Sequence, residues 1–220
     1  MKYRTVFDII GPVMIGPSSS HTAGAARIGK VARALFAEAP ERADVHFYGS
    51  FAKTYRGHGT DVAVVGGLLD YDTNDERIRD AFYHAKEAAL EVHLHEEEAV
   101  VHHPNTCRIK LTKGDKRLDL VGVSIGGGKI EIVELNGFAL RLSGNHPAIL
   151  VAHLDRYGVI AAVSNLLAKH QLNIGHMEVS RKEKGETALM VIEVDQNVDK
   201  ALLLELERLP HITHVSKIHD

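Results

Sequence analysis

The chain of 220 residues has no tryptophan and one cysteine, Cys107, and its aromatic residues make up only 5%. One cysteine excludes an internal disulfide, and it excludes an iron–sulfur cluster held by this chain's cysteines alone. The default compartment for such a chain is the cytoplasm. Neither sign of charge dominates: 26 Lys and Arg stand against 29 Asp and Glu, a formal net charge of -3. Without a basic patch, nucleic acid is not an expected partner. No apolar run approaches the roughly 18–20 residues of a membrane span. The first 17 residues carry two early basic residues but no long apolar core and no small-residue cleavage site, so they do not read as a signal peptide. What is present is an ordinary globular composition, 45% hydrophobic and 25% charged. Its length suits one large or two small domains at about 100–200 residues each.

Against this background one stretch is over-furnished: Gly16-Pro-Ser-Ser-Ser-His-Thr-Ala-Gly24. An Ala-rich amphipathic helix is expected directly after it, from Ala23 to Glu38, with Ala26, Ile28, Val31, Leu35 and Phe36 at near-helical spacing. Hydroxyls, free backbone N–H groups and an imidazole at a helix N-terminus suit a small anion, a carboxylate above all. A plain N-cap needs one hydroxyl and does not need His21. A second polar stretch, Gly49 to Asp61, holds His58 between Gly57 and Gly59. It reads as a glycine-permitted turn, capped by Thr60 or Asp61, before an apolar helix from Val62 to Leu69. A third, His102-His-Pro-Asn-Thr106, precedes a strand.

The remaining pattern predicts strands over Tyr3–Ile10, Asp44–Tyr48, Glu91–His95, Cys107–Leu111, Leu118–Ile125 and Lys129–Leu135. A capping box at Thr73–Glu76 predicts a helix through Leu90. Gly126-Gly-Gly128 reads as a hairpin turn rather than a phosphate cradle, since neither a helix nor Lys-Ser/Thr follows. Residues 136–147 hold two glycines, two asparagines and a proline, and the domain boundary falls there: domains over 1–140 and 148–220, with 141–147 as linker. Beyond it the order is βαββαβ: strands at Ala148–His153, Ile174–Arg181, Glu186–Val194 and Ile212–Ile218, helices at Val159–His170 and Asn197–Arg208. The fold class is therefore α+β, an α/β N-terminal domain followed by a ferredoxin-like one.

The C-terminal unit resembles an ACT domain, on the strand-turn-helix H-L-D-R-Y-G-V-I-A-A-V-S-N-L-L (153–167) and on L-N-I-G-H-M-E-V-S-R (172–181). The resemblance implies side-by-side pairing of chains and an effector, an amino acid or a cation. Its site would be the turn Asp155, Arg156, Tyr157 and Gly158 of one chain facing Asn173, Ile174 and Gly175 of its neighbour. The N-terminal part resembles the β chain of the two-chain, iron–sulfur-dependent L-serine dehydratases. The residues that carry this are G-P-S-S-S-H-T-A-G (16–24), G-H-G-T-D (57–61) and H-P-N-T (103–106). It is also similar to the allosteric substrate-binding domain of some phosphoglycerate dehydrogenases, which holds serine-related ligands away from the chemistry. The dehydratase resemblance implies conversion of L-serine to pyruvate and ammonia in a cytoplasmic hetero-oligomer serving amino-acid metabolism and gluconeogenesis. It also implies a [4Fe-4S] cluster whose cysteines belong to a partner α chain, with no metal ligand from this chain.

Under that resemblance Ser18, Ser19, Ser20 and Thr22 would hold the substrate carboxylate, and His21 would move a proton or hydrogen-bond the departing hydroxyl. His58, Thr60 and Asp61 would form a second wall, Asp61 orienting a histidine or taking the substrate ammonium, with Asn105 and Thr106 completing it. Two other readings compete. A zinc site around His93, His95, His102 and His103 lacks ligand spacing and runs into Glu96-Glu-Glu98. A purely regulatory, serine-sensing subunit would leave all chemistry on the partner.

Overall fold

The computed structural model describes residues 13–218, and the chain divides into two compact units, Met1–Asn136 and Gly137–Asp220. The strand expected over Tyr3–Ile10 lies outside the described residues.

In the first unit Ser18 is extended, and a π turn over Ser19–Ala23 runs straight into helix α1, Gly24–Phe36. The helical path thus begins at Ser19, earlier than the hydrophobic periodicity indicated, because hydroxyl residues rather than apolar ones wind its first turn. Strand β1 (Arg42–Tyr48) is followed at once by helix α2 (Gly49–His58), and Gly59, left-handed at φ 68, separates it from helix α3 (Thr60–Leu68). This corrects the reading of residues 49–59 as a turn. Tertiary packing overrides a weak local preference here: Phe51 and Tyr55, one helical turn apart, both pack on Phe47 of β1 and are buried. Neither Thr60 nor Asp61 caps α3 through its side chain; Gly59 occupies that position.

The single helix expected from Thr73 is instead a 3₁₀ turn, Glu76–Asp80, leading into the short helix α4, Ala81–Glu87. Asp75 takes the cap by accepting the Arg77 N–H at 2.9 Å, and the Thr73 hydroxyl donates to the Val13 carbonyl at 3.0 Å. Within this unit strands β2 (Glu91–Glu97), β3 (Asn105–Lys113), β4 (Lys116–Gly126) and β5 (Lys129–Leu135) join β1 in the order β2-β1-β3-β4-β5. The β1–β2 pair is parallel and the others are antiparallel. Period-two alternation puts Val45, Phe47, Cys107, Ile109, Leu111, Leu120 and Ile132 in the core, each fully buried.

Helices α1 and α3 cross over that core with their backbones nearly touching. A Cβ at Gly29 would lie 2.3 Å from the Val64 carbonyl oxygen, and one at Gly67 would lie 2.0 Å from that of Ala26. The antiparallel register Tyr48↔Thr106↔Val123 brings the end of β1, the start of β3 and the end of β4 to one edge of the sheet. That edge carries the three polar stretches.

The second unit begins with strand β6 (Phe138–Leu142), which lies in the stretch read as a boundary and overlaps the expected 141–147 linker. Its backbone is tied down by side chains of this unit. The Ser180 hydroxyl donates to the Ala139 carbonyl, and the Arg141 N–H donates to Glu178 Oε2 at 2.9 Å. Then come β7 (Ala148–Leu154), α5 (Val159–Lys169), β8 (Ile174–Arg181), β9 (Thr187–Val194), α6 (Lys200–Glu207) and β10 (Ile212–Ile218). The sheet order is β10-β7-β9-β8, antiparallel throughout, which is the ferredoxin-like arrangement expected from βαββαβ. Ile149, Val151, Met190 and Ile192 from the sheet meet Val163, Leu167, Leu202 and Leu206 from the helices in its core. No helix of the described residues is long and apolar enough to cross a membrane.

Candidate functional site

The π turn is defined by the Gly24 N–H reaching back to the Ser19 carbonyl, one residue further than an α-helix allows. Such turns occur frequently at functional sites. Ser18 caps it: its Oγ accepts the His21 N–H at 3.2 Å, and its carbonyl accepts the Thr22 N–H at 2.8 Å and the Thr22 hydroxyl. The cap also places Ser18 Oγ 3.3 Å and Ser20 Oγ 3.1 Å from Nδ1 of His21, with the two serine oxygens 3.2 Å apart.

The far nitrogen of the same ring, Nε2, lies 3.1 Å from Ser50 Oγ. The ring meets Phe51 and His58 edge to face, at centroid distances of 5.3 and 4.9 Å. Partial burial, and secondarily the neighbouring His58, hold the His21 pKa below its usual 6.5. His21 is therefore neutral at neutral pH and has a basic nitrogen to offer. His58 is the last residue of α2 and is exposed.

Beyond Gly59, Thr60 is fully buried, and its hydroxyl has no hydrogen-bond partner among the described residues. Asp61 opens α3, accepts the Val62 N–H at 2.9 Å, and has its carboxyl pKa raised by burial. The third polar stretch supports the other two. The Pro104 carbonyl accepts the Ser50 and Phe51 N–H groups at 2.7 and 3.4 Å, closing the start of α2. Asn105 donates its N–H to His103 Nδ1 at 3.2 Å and its side-chain amide to the Ser124 carbonyl at 3.4 Å. The Thr106 hydroxyl is buried and donates to the His103 carbonyl at 2.6 Å.

The structure thus gathers Ser18, Ser20, His21 and His58 into one cluster. Ser19 and Thr22 share its turn, Thr60 and Asp61 follow it in chain, and Asn105 and Thr106 shape the loop behind it. Sequence reasoning missed Ser50. The available signal was Gly49-Ser50 at the end of a predicted strand, where a helix start would present a hydroxyl.

The cluster of iron and sulfur that the resemblance implies does not fit this chain's own residues. Cys107 is wholly buried and its thiol pKa is pushed up to about 12, so it offers no thiolate. Among the described residues no group of three or more His, Cys, Asp or Glu is placed to hold a metal ion. Two histidines of the competing zinc reading, His93 and His95, have carboxylate partners instead, and His103 Nδ1 accepts the Asn105 N–H. His93 Nε2 lies 2.8 Å from Glu91, and His95 Nε2 lies 3.3 Å from Asp44 while its ring stacks on His46 at 4.4 Å.

In the second unit the Asp155 carboxylate accepts the Gly185 N–H at 2.9 Å and an Arg181 N–H at 3.0 Å, which hold its pKa down. Arg156 donates to the Gly185 carbonyl at 2.6 Å, Tyr157 is 99% exposed, and Gly158 starts α5 in a left-handed conformation. Asn173 donates to Asp195 Oδ2 at 2.6 Å, Ile174 packs against the core and Gly175 is exposed. The pairings Leu154↔Thr187 and Ile174↔Val194 put these two groups at opposite ends of the sheet within one chain.

Comparison with known proteins decides the family. The family model described as serine dehydratase beta chain matches residues 5–134, and the ACT domain model matches residues 148–211. The chain belongs to the serine dehydratase beta chain family. It is 64% identical to a probable L-serine dehydratase, beta chain, of Bacillus subtilis (strain 168), over 100% of both chains. It is 35% identical to the L-serine dehydratase, beta chain, of Peptoniphilus asaccharolyticus, over 98% of this chain and 99% of that one. It is also 36% identical to L-serine dehydratase 2 of Escherichia coli (strain K12), over 57% of this chain and 33% of that protein.

Proposed function

We propose that this β chain forms one wall of a site that converts L-serine to pyruvate and ammonia, the other wall and a [4Fe-4S] cluster being supplied by an α chain. The observation that carries this reading is the convergence on His21. Two polar stretches far apart in sequence, residues 16–24 and 49–61, place hydroxyls on both ring nitrogens and a second imidazole at its edge. The longer Escherichia coli relative, of which this chain matches 33%, agrees with a division of one enzyme between two chains.

The roles follow from chemistry. The first N–H groups of a helix lack intrahelical partners and attract an anion, so the turn carrying Ser18, Ser19, Ser20 and Thr22 would take the substrate carboxylate. His21, neutral at neutral pH, would accept or return a proton within hydrogen-bond reach. His58, Thr60 and Asp61 would face the substrate from the α2–α3 junction, Asp61 meeting the ammonium. Asn105 and Thr106 would complete the wall by holding its loop. The cluster would be held by cysteines of the α chain, and the reaction would take place in the cytoplasm.

For the second unit, we infer an ACT regulatory site for an amino acid or a cation, at Asp155–Gly158 and Asn173–Gly175. Since those groups lie at opposite ends of one sheet, a site using both needs a second copy of the chain.

The test is anaerobic co-expression with the α chain and a pyruvate assay with and without this chain. Full activity without it would refute shared catalysis and leave a regulatory subunit. His21→Ala should lower kcat by about 100-fold or more, the usual scale for a general acid–base group.

A further inference from the structure

We propose that Ser50 is the positioning residue of His21, accepting a hydrogen bond from Nε2–H so that the unprotonated nitrogen, Nδ1, faces the Ser18–Ser20 side. The inference rests on the shared-site reading for its catalytic meaning, but the geometry behind it stands independently.

A serine at a strand-to-helix turn, 3.1 Å from an imidazole nitrogen, could also be read as a nucleophile. The structure argues against that. A nucleophile at a helix start needs nearby N–H groups to hold the developing oxyanion. Here the Ser50 and Phe51 N–H groups are both taken by the Pro104 carbonyl. Ser50 therefore acts on His21 rather than on substrate.

The direction of the bond follows from the two helix starts between which the ring sits. On the Nδ1 side is the N-terminus of the π turn and α1, whose partial positive charge favours a lone pair over an N–H. The hydroxyls there can close on themselves. Ser18 donates to Ser20 and Ser20 donates to Nδ1, while Ser18 Oγ accepts the His21 N–H. On the Nε2 side the start of α2 is already closed by a carbonyl oxygen, so its pull on a lone pair is weaker. A ring N–H donated to Ser50 Oγ satisfies every nitrogen and leaves the Ser50 hydroxyl proton pointing outward. Phe51, edge-on at 5.3 Å, limits rotation of the ring.

The test compares the wild-type chain with Ser50→Ala and Ser50→Thr. Ring nitrogen shifts of His21, identified by their loss in His21→Ala, report the tautomer in the full-length chain without any assay. The wild type and Ser50→Thr should show Nε2–H as the dominant form, and Ser50→Ala should show a mixture. In enzyme reassembled with the α chain, Ser50→Ala should lower kcat about tenfold or more with KM within twofold, since a mis-set tautomer costs turnover rather than binding. Ser50→Thr should recover most of it. An unchanged tautomer in Ser50→Ala, or dominance of Nδ1–H in the wild type, would overturn the proposal. If instead His21→Ala keeps near-normal kcat while Ser50→Ala shifts the tautomer, the shared-site reading fails and the positioning of His21 by Ser50 stands.

Discussion

His21 and His58 meet edge to face, with ring centroids 4.9 Å apart and planes at 84°. Two imidazoles at that distance resist carrying charge together. Burial is the larger cause of the lowered His21 pKa and His58 the smaller. His58→Ala should therefore raise the His21 pKa part of the way, leaving it below 6.5. A pH titration of the His21 ring by NMR reads this directly. The sign carries to stability: with the folded pKa depressed, stability is full above about pH 6.5 and declines as pH falls through the folded value. The decline should be smaller in His58→Ala. An unmoved His21 titration would show that the two rings are not coupled.

Thr60 tests a buried hydroxyl that no neighbour among the described residues satisfies. Replacing such a group by an apolar one of the same shape is nearly neutral or stabilising. Thr60→Val should melt at the same temperature or higher, a gain of up to about 1 kcal/mol. If the hydroxyl turns to substrate, kcat/KM should fall about tenfold in the same variant, the effect of one lost hydrogen bond. Lower stability with full activity would mark Thr60 as purely structural.

Gly24 lies where α1 touches the sheet. A Cβ there would come within 2.1 Å of Ser124 Oγ and 2.7 Å of Ser124 Cβ. Gly24→Ala should cost about 1–3 kcal/mol by overpacking. The double variant Gly24→Ala with Ser124→Gly should recover a good part of that loss, because the clash is with the Ser124 side chain. Chemical denaturation of the four proteins in the cycle gives the coupling; additive losses would place the strain elsewhere.

Cys107 should behave as a buried hydrophobe. Its thiol pKa rises from 9.0 to about 12 through burial alone, so its contribution to stability is complete below pH 9 and is lost as pH climbs toward 12. Denaturation midpoints should therefore fall along an alkaline limb that is reduced in Cys107→Ala. Iodoacetamide at about pH 8 should leave the folded chain unmodified. Rapid alkylation of native protein would contradict the burial.

The parts of the fold that could be read in the sequence are those where one face is buried and the period is regular. Val45 and Phe47, or Ile130 and Ile132, alternate cleanly, and the βαββαβ order of the second unit follows from its turns and runs. Helix α2 could not be read that way. Its sequence, GSFAKTYRGH, has glycines near both ends and two aromatics and a β-branched residue inside, and it is the contact of Phe51 and Tyr55 with Phe47, not local preference, that favours a helix. Strand β6 was hidden by the glycines around it and is held by Glu178 and Ser180, far along the chain. In the site, residue types announced His21 and its serines. The role of Pro104 was not legible, because a backbone carbonyl closing a distant helix leaves no mark on residue type.

The π turn stores the geometry of the cluster in chain length. A π turn winds one more residue between its bonded groups than an α-helix does, so Ser19–Ala23 presents one side chain more than an α turn would. Deleting a single residue there would let the segment relax into an ordinary helix with its backbone bonds intact. Ser18 would still leave in much the same direction, but the turn would present one side chain fewer, and the spacing that sets Ser18 and Ser20 beside one nitrogen would be lost. Substitution can change the hydroxyls one at a time, whereas a change of one in the residue count would re-space the whole serine face about His21. Related chains that keep this chemistry should vary in composition between Ser19 and Ala23 before they vary in length.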